Sequence, residues 1–238
     1  MKKGLILIVG LMAVWPMWAQ DPQPTDEGIR RLIARSNRYR HGEGERTLLY
    51  ARSLCGDDTN RFARLLYEVA QTNDARLAGL TIRLLGEYGT PAQLPFLYSQ
   101  VSNTQYGVDA VRSILKIEGI TSNSVAIVDG YLSNTNNTNR NRYYVCSDFV
   151  VKTIAPDVSA DLHTSASRVY FRFMKDDNIY NDWLDGTMKS ADPTYVHSKR
   201  RLTVMRAARA RTTDPEDLNY ITNAINELVA YPESELPE

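Results

Sequence analysis

The sequence is short of the residues most often used for covalent and metal chemistry. It has two cysteines and three histidines in 238 residues. His41, His163 and His197 fall in three separate parts of the chain. None has a second histidine at the i, i+4 spacing that sets two ligands on one helix face. There is no Cys-x-x-Cys pair, no Gly-rich phosphate loop and no nucleophile elbow. These absences lower the expectation of an enzyme, and no catalytic residue, cofactor or metal is assigned. An excess of one charge is lacking too, with 28 basic and 28 acidic residues. A dedicated nucleic-acid binder is usually clearly basic, so no nucleic-acid partner is expected.

Long apolar runs are also missing, with one exception at the start. Lys2 and Lys3 precede an apolar stretch from Gly4 to Trp18, broken near its end by Pro16. Its length suits a secretory signal peptide and falls short of the roughly 20 apolar residues of a spanning helix. Residues 1–20 are therefore read as a signal peptide, with Ala19 beside the cleavage point. Met17 stands where a small residue is preferred, which leaves an uncleaved anchor as the alternative. The chain is expected to be exported, periplasmic or secreted, with no membrane span after signal cleavage. Without Lys2 and Lys3, 26 basic residues face 28 acidic ones, a net charge near −2. In an oxidising compartment Cys55 and Cys146 have the option of a disulfide. They lie about ninety residues apart, and a disulfide needs Cα atoms within about 7 Å. Two buried free thiols are the favoured expectation.

What the sequence does have is internal similarity. Residues 80–104 and 110–135 align at an offset of 30, with Leu85 on Leu115 and Gly89 on Gly119. With one inserted residue, Leu94, Phe96, Leu97, Val101 and Asn103 fall on Val125, Ile127, Val128, Leu132 and Asn134. Each copy reads as a helix, a glycine, a cap and a second helix. Leu77, Thr81, Leu84, Leu85 and Tyr88 follow the spacing of one buried helical face, and Leu94, Leu97, Tyr98 and Val101 do the same. Between them Gly89 is expected to end the first helix in the left-handed conformation. Thr90-Pro91-Ala92-Gln93 then supplies an N-cap, a first-turn proline and a capping-box glutamine.

Weaker copies flank these two. Residues 45–54 and 60–70 read as an upstream pair. Downstream, Tyr143, Cys146, Phe149, Val150 and Ile154 form one stripe, and Leu162, Ala166, Val169 and Phe173 the next. Asp192-Pro193 and Asp214-Pro215-Glu216-Asp217 introduce a last pair carrying Leu218, Ile221, Ile225 and Leu228. Residues 74–134, with the Leu-Gly-x-x-Gly turn at 85–89, the Thr-Pro cap and the leucine-rich second helix, resemble the short HEAT-type repeats of bacterial proteins. The second copy departs from the pattern, with Lys116 in place of the first glycine and no proline after Gly119. The resemblance implies an all-α fold: an α-solenoid, or α-α superhelix, of stacked antiparallel helix pairs, over residues 21–230. It says little about function, since a fold hosts many.

Three segments interrupt the array. Residues 133–141 form an Asn-rich connector too polar to pack, with a glycosylation acceptor pattern at Asn136-Asn137-Thr138 that matters only in a eukaryotic secretory pathway. Residues 174–191 read as an inserted loop with a short helical piece around Trp183. Asp176, Asp177, Asn178, Asp182 and Asp185 there suggest either a calcium loop or a solvated acidic loop. The spacing departs from an EF-hand, so the second is favoured. Residues 231–238, acidic and proline-bearing, are expected to be a disordered tail.

The remaining signals are charged and aromatic. Lys199, Arg200, Arg201, Arg206, Arg209 and Arg211 crowd one helix without an acid among them, and at 100° per residue they spread all round it. Pairing with the aspartates of 176–192 is the favoured account, and an exposed basic groove for an anionic partner the alternative. A related arginine excess lies at Arg30, Arg31, Arg35, Arg38 and Arg40. His163 reads as a surface or capping histidine. Tyr143, Tyr144, Tyr170, Tyr180 and Trp183 line either a binding patch or ordinary half-buried packing. The functional expectation is a noncatalytic scaffold that binds an unidentified protein or peptide through Tyr180, Trp183, Lys199, Arg206, Arg209 and Arg211. The alternatives are a hydrolase or lyase of an envelope polymer using the acidic loop, or a structural spacer.

Overall fold

In a computed structural model of the chain, the described residues are 24–36, 43–72, 74–155, 157–176, 187–188, 190–192, 195–230 and 232–237. The expected signal segment lies outside them. Among them the regular elements are helical, with no strand. In chain order they are α1 (Asp26–Ser36), α2 (Glu43–Ser53), α3 (Thr59–Ala70), α4 (Ala75–Tyr88), α5 (Leu94–Gln100) and α6 (Gly107–Glu118). Then come α7 (Ser122–Ser133), α8 (Asn139–Thr153), α9 (Ala160–Asp176), α10 (Lys199–Arg211) and α11 (Pro215–Val229). The all-α expectation holds. No helix among the described residues is long and apolar enough to cross a membrane.

Side-chain caps place many of the helix starts. The side chains of Asp58, Asp74, Thr121, Thr138 and Ser198 accept from backbone N–H groups in the first turns of α3, α4, α7, α8 and α10. Each such cap contributes about 1 kcal/mol by satisfying a donor the helix cannot. Thr90 N donates to Gln93 Oε1 at 2.8 Å, so the expected capping box forms, although it opens a 3-10 turn, Pro91–Gln93, that runs into α5. Thr138 begins α8 inside the supposed Asn-rich connector. Asn139 to Asn141 are therefore helical, and Asn137 Nδ2 ties the turn to Tyr131 O at 2.8 Å.

The two best repeat copies are alike in their turns. Gly89 N donates to Leu85 O and Gly119 N to Leu115 O, at 2.7 and 3.2 Å. The left-handed conformation expected at Gly89 does not form, and the two glycines differ. Gly89 is extended (φ −74°, ψ 169°), while Gly119 takes the positive φ of 70° that only glycine adopts readily at its ψ of −151°. Glycine is needed at 89 for a different reason: a Cβ there would lie 2.3 Å from Leu85 O and 3.0 Å from Ile117 Cδ1.

Packing runs in layers. α4 lies between α3 and α6; α6 also meets α5, α7 and α8; α9 is surrounded by α7, α8, α10 and α11. α1, outside every expected pair, packs on both α2 and α3. Because α4 is covered on two sides, Ala78 and Ile82 are buried beyond the stripe read from the sequence. Two apolar cores result, and α6 joins them. Ala110 and Ile114 face the N-terminal core, and Val111 and Leu115 the C-terminal one. Cys55 and Cys146 are buried free thiols, one in each core, as expected. Tyr143 and Tyr170 are core residues, not members of a surface patch. The tail also departs from expectation: residues 233–235 form a 3-10 turn and Leu236 is buried in the C-terminal core.

The approach of α4 to α6 depends on missing side chains. A Cβ on Gly86 would lie 2.8 Å from Ser113 Oγ and 3.0 Å from Ser113 Cα, and Ser113 Oγ donates across the seam to Ile82 O at 2.8 Å. Gly130, on exposed α7 surface, has open space instead. Gly86→Ala should lower stability by about 1–2 kcal/mol, overpacking outweighing the helix-propensity gain. Gly130→Ala should raise it by about 0.5–1 kcal/mol. Urea unfolding of both variants checks this, and a stabilised Gly86→Ala chain would refute the tight seam.

Candidate functional site

Helix α10 and its surroundings gather the chemistry-bearing residues. Its six cations divide between inside and outside, as their angular spread requires. Arg200 Nη1 and Nη2 donate to Ile154 O and Ala155 O at 2.7 and 2.8 Å, satisfying carbonyls at the C-terminal end of α8. Arg201 is buried. Arg206, Arg209 and Arg211 are exposed and Lys199 is half-buried.

The exposed cations are held from beyond the acidic loop. Arg206 makes a two-pronged pair with Glu233, 3.1 Å at each contact, and Arg211 Nη2 reaches Asp161 Oδ1 at 3.1 Å. For these two, the expected partners within 176–192 are corrected to Glu233 and Asp161. Arg206, and then Lys199, hold the Glu233 carboxyl below its ordinary range. Lys199 N donates to Pro237 O at 2.8 Å. The segment 232–237 thus meets α10 at both ends, Glu233 on Arg206 and Pro237 O on Lys199 N, with Leu236 buried in the C-terminal core. Arg209 is exposed with no ion pair among the described residues. Tyr180, Trp183, Asp177, Asn178, Asp182 and Asp185 lie outside the described residues, and so does the choice between a calcium loop and a solvated one.

Beneath α10 lies a polar network that the histidine inventory missed. His163, expected at the surface, is only 2% exposed, and its Nε2 lies 2.7 Å from Tyr195 Oη. Ser167 Oγ donates to Tyr170 Oη at 3.1 Å. Arg200 sits over the Tyr195 ring. Burial and the Arg200 charge push His163 down to about 4, and burial pushes both tyrosines up. The imidazole and phenols are neutral at pH 7. Burial, led by desolvation, also pushes the Cys146 thiol up, so it is no nucleophile. The network cements α9 to the turn at Tyr195–His197. His163 and Ser167 are one helical turn apart, a spacing visible in the sequence, while Tyr195 and its side of the contact are not.

Several charged groups elsewhere are paired. Glu27, Glu68 and Asp26 bind Arg30, Arg31, Arg61 and Arg64 across α1 and α3, which absorbs part of the early arginine excess. Arg38 and Arg40 lie outside the described residues. Burial raises Asp109, but its charged neighbours are Arg83, Arg112 and Lys116, so it is not half of an acid pair. No group of three His, Cys, Asp or Glu among the described residues is placed to hold a metal ion. Comparison with known proteins returns no match: no family model, no curated protein and no solved structure is similar to this chain.

The His163 environment sets a pH window. Its folded pKa is lowered from 6.5 to about 4, so the unfolded chain binds the proton first. Its contribution is complete above pH about 6.5 and is lost as pH falls toward 4, on the order of 3 kcal/mol in all. Unfolding by urea at pH 7.5 and 4.5 should show this loss in the parent chain and a much smaller one in His163→Gln. Equal losses would mean that His163 is solvated.

Proposed function

We propose that the chain is an exported, noncatalytic scaffold of the HEAT-type α-solenoid kind, binding a protein or peptide partner. Support for the solenoid comes from the layering: α4 on α6, α6 on α8 and α7 on α9 place like members of successive helix pairs together. The same backbone bond from the closing glycine, Gly89 N to Leu85 O and Gly119 N to Leu115 O, adds to it. Support for binding comes chiefly from one observation, the exposed Arg206 of α10 engaging Glu233 in the short acidic turn at 233–235. The contact residues on this reading are Lys199, Arg206, Arg209 and Arg211, with Tyr180 and Trp183 nearby in sequence.

The test is in-situ crosslinking and pull-down from native envelope extract with the tagged chain. A chain with Arg206, Arg209 and Arg211 changed to Glu is the control, its folding checked by circular dichroism. One dominant partner, lost in the folded control, is the expected result. No partner with either chain would sink the scaffold reading.

A further inference from the structure

The surface of α10 that carries Lys199 and Arg206 is already occupied. The occupant, residues 232–237, is the chain's own C-terminal segment, held at three points. The Glu233 carboxylate lies on the Arg206 guanidinium, Leu236 is 5% exposed, and Pro237 O accepts from Lys199 N. An acid, a two-residue step and a leucine form a short recognition pattern, with prolines at 232 and 237 that restrict the free segment. The grip is shallow at its charged end, where Arg206 and Glu233 are each about half exposed. Such a pair is worth little in water, and retention owes much to the tether, which supplies an effective concentration on the order of millimolar.

We propose that this seat is a peptide-docking site, in which the C-terminal segment is a resident pseudo-ligand. A partner enters by presenting an acidic Glu-x-x-Leu segment of its own. The assignment rests on the scaffold reading and adds to it the chemistry of the partner and a means of regulation. An incoming peptide must displace the tail, so the intact chain binds weakly and a chain with a released tail binds well. The charge match selects acidic segments, and the buried position of Leu236 rejects purely charged ones. Arg209, exposed on the same helix, remains available to a second acid of a longer ligand.

The probe is a fluorescein-labelled peptide of sequence AYPESELPE, followed by anisotropy. It is titrated into the intact chain and into a full-length variant with Glu233→Arg and Leu236→Asp, which drives the tail off without shortening the chain. Binding to the variant should be at least about tenfold tighter than to the intact chain. It should weaken with salt, and fall about tenfold or more when Arg206→Glu is added or when the peptide's leucine is alanine. Equal binding to both chains, or indifference to Arg206→Glu, overturns the proposal. Should the variant not fold, the intact chain with Ser234→Cys bearing a fluorophore serves instead. Excess unlabelled peptide must raise the mobility of the label, and no change overturns the proposal. A partner still captured from extract when both peptide experiments fail refutes this seat and leaves the scaffold reading standing. Failure of peptide and capture together refutes both.

Discussion

The close approach of α4 to α6 is the constraint on which the rest of the structure depends. α6 presents Ala110 and Ile114 to one core and Val111 and Leu115 to the other, so the two halves share it. It can do so only because Gly86 leaves room for Ser113, whose hydroxyl bonds the backbone of the facing helix. Close contact of backbones gains dispersion energy and excludes water, but tolerates no added methyl group. The repeat is therefore least regular where it is tightest: Gly86 in one copy is Lys116 in the next. The lysine suits an outward position, paired with Glu87 across the seam.

Charge pairs follow the same layers. Lys116 with Glu87, Arg112 with Asp148 and Arg172 with Asp129 each join helices that stack face to face. Being partly exposed, each contributes at most about 1 kcal/mol. Their placement favours the observed register of each helix on the next, since a slip would break the pair. At the C-terminal end the logic changes. α9 is enclosed by four helices, and its buried face carries His163, Thr164, Ser167 and Tyr170 beside the apolar residues. Each buried polar group must find a partner there, and the His163–Tyr195 and Ser167–Tyr170 bonds supply them.

Helix α10 links this interior to the surface. Arg200 and Arg201 turn inward and Arg206 and Arg211 outward, so one basic helix both closes the end of α8 and presents cations to solvent and tail. That dual use explains why its residues show no simple apolar stripe. Interior packing and contact with the tail draw on different faces of the same thirteen residues.

The sequence by itself determined the helical character, the glycine turns after Leu85 and Leu115, the Thr90 and Asp214 starts and the buried state of both cysteines. The helices, turns and starts depend on local spacing or on a cap within one turn, where residue identity and geometry are directly linked, and the cysteines' wide separation in sequence disfavoured a bond between them. The cations at Arg206, Arg209 and Arg211 were legible as a surface for the same reason, since a helix cannot hide all of its faces. Tertiary structure alone decided what met them. Glu233 is 27 positions from Arg206 and Tyr195 is 32 from His163, and no local pattern reports which distant group closes a contact. Composition made the last residues look disordered because one leucine among acids and prolines buries too little area by itself. It is seated because the C-terminal core packs around Leu236 and Arg206 pairs with Glu233, contacts that only the folded chain brings together.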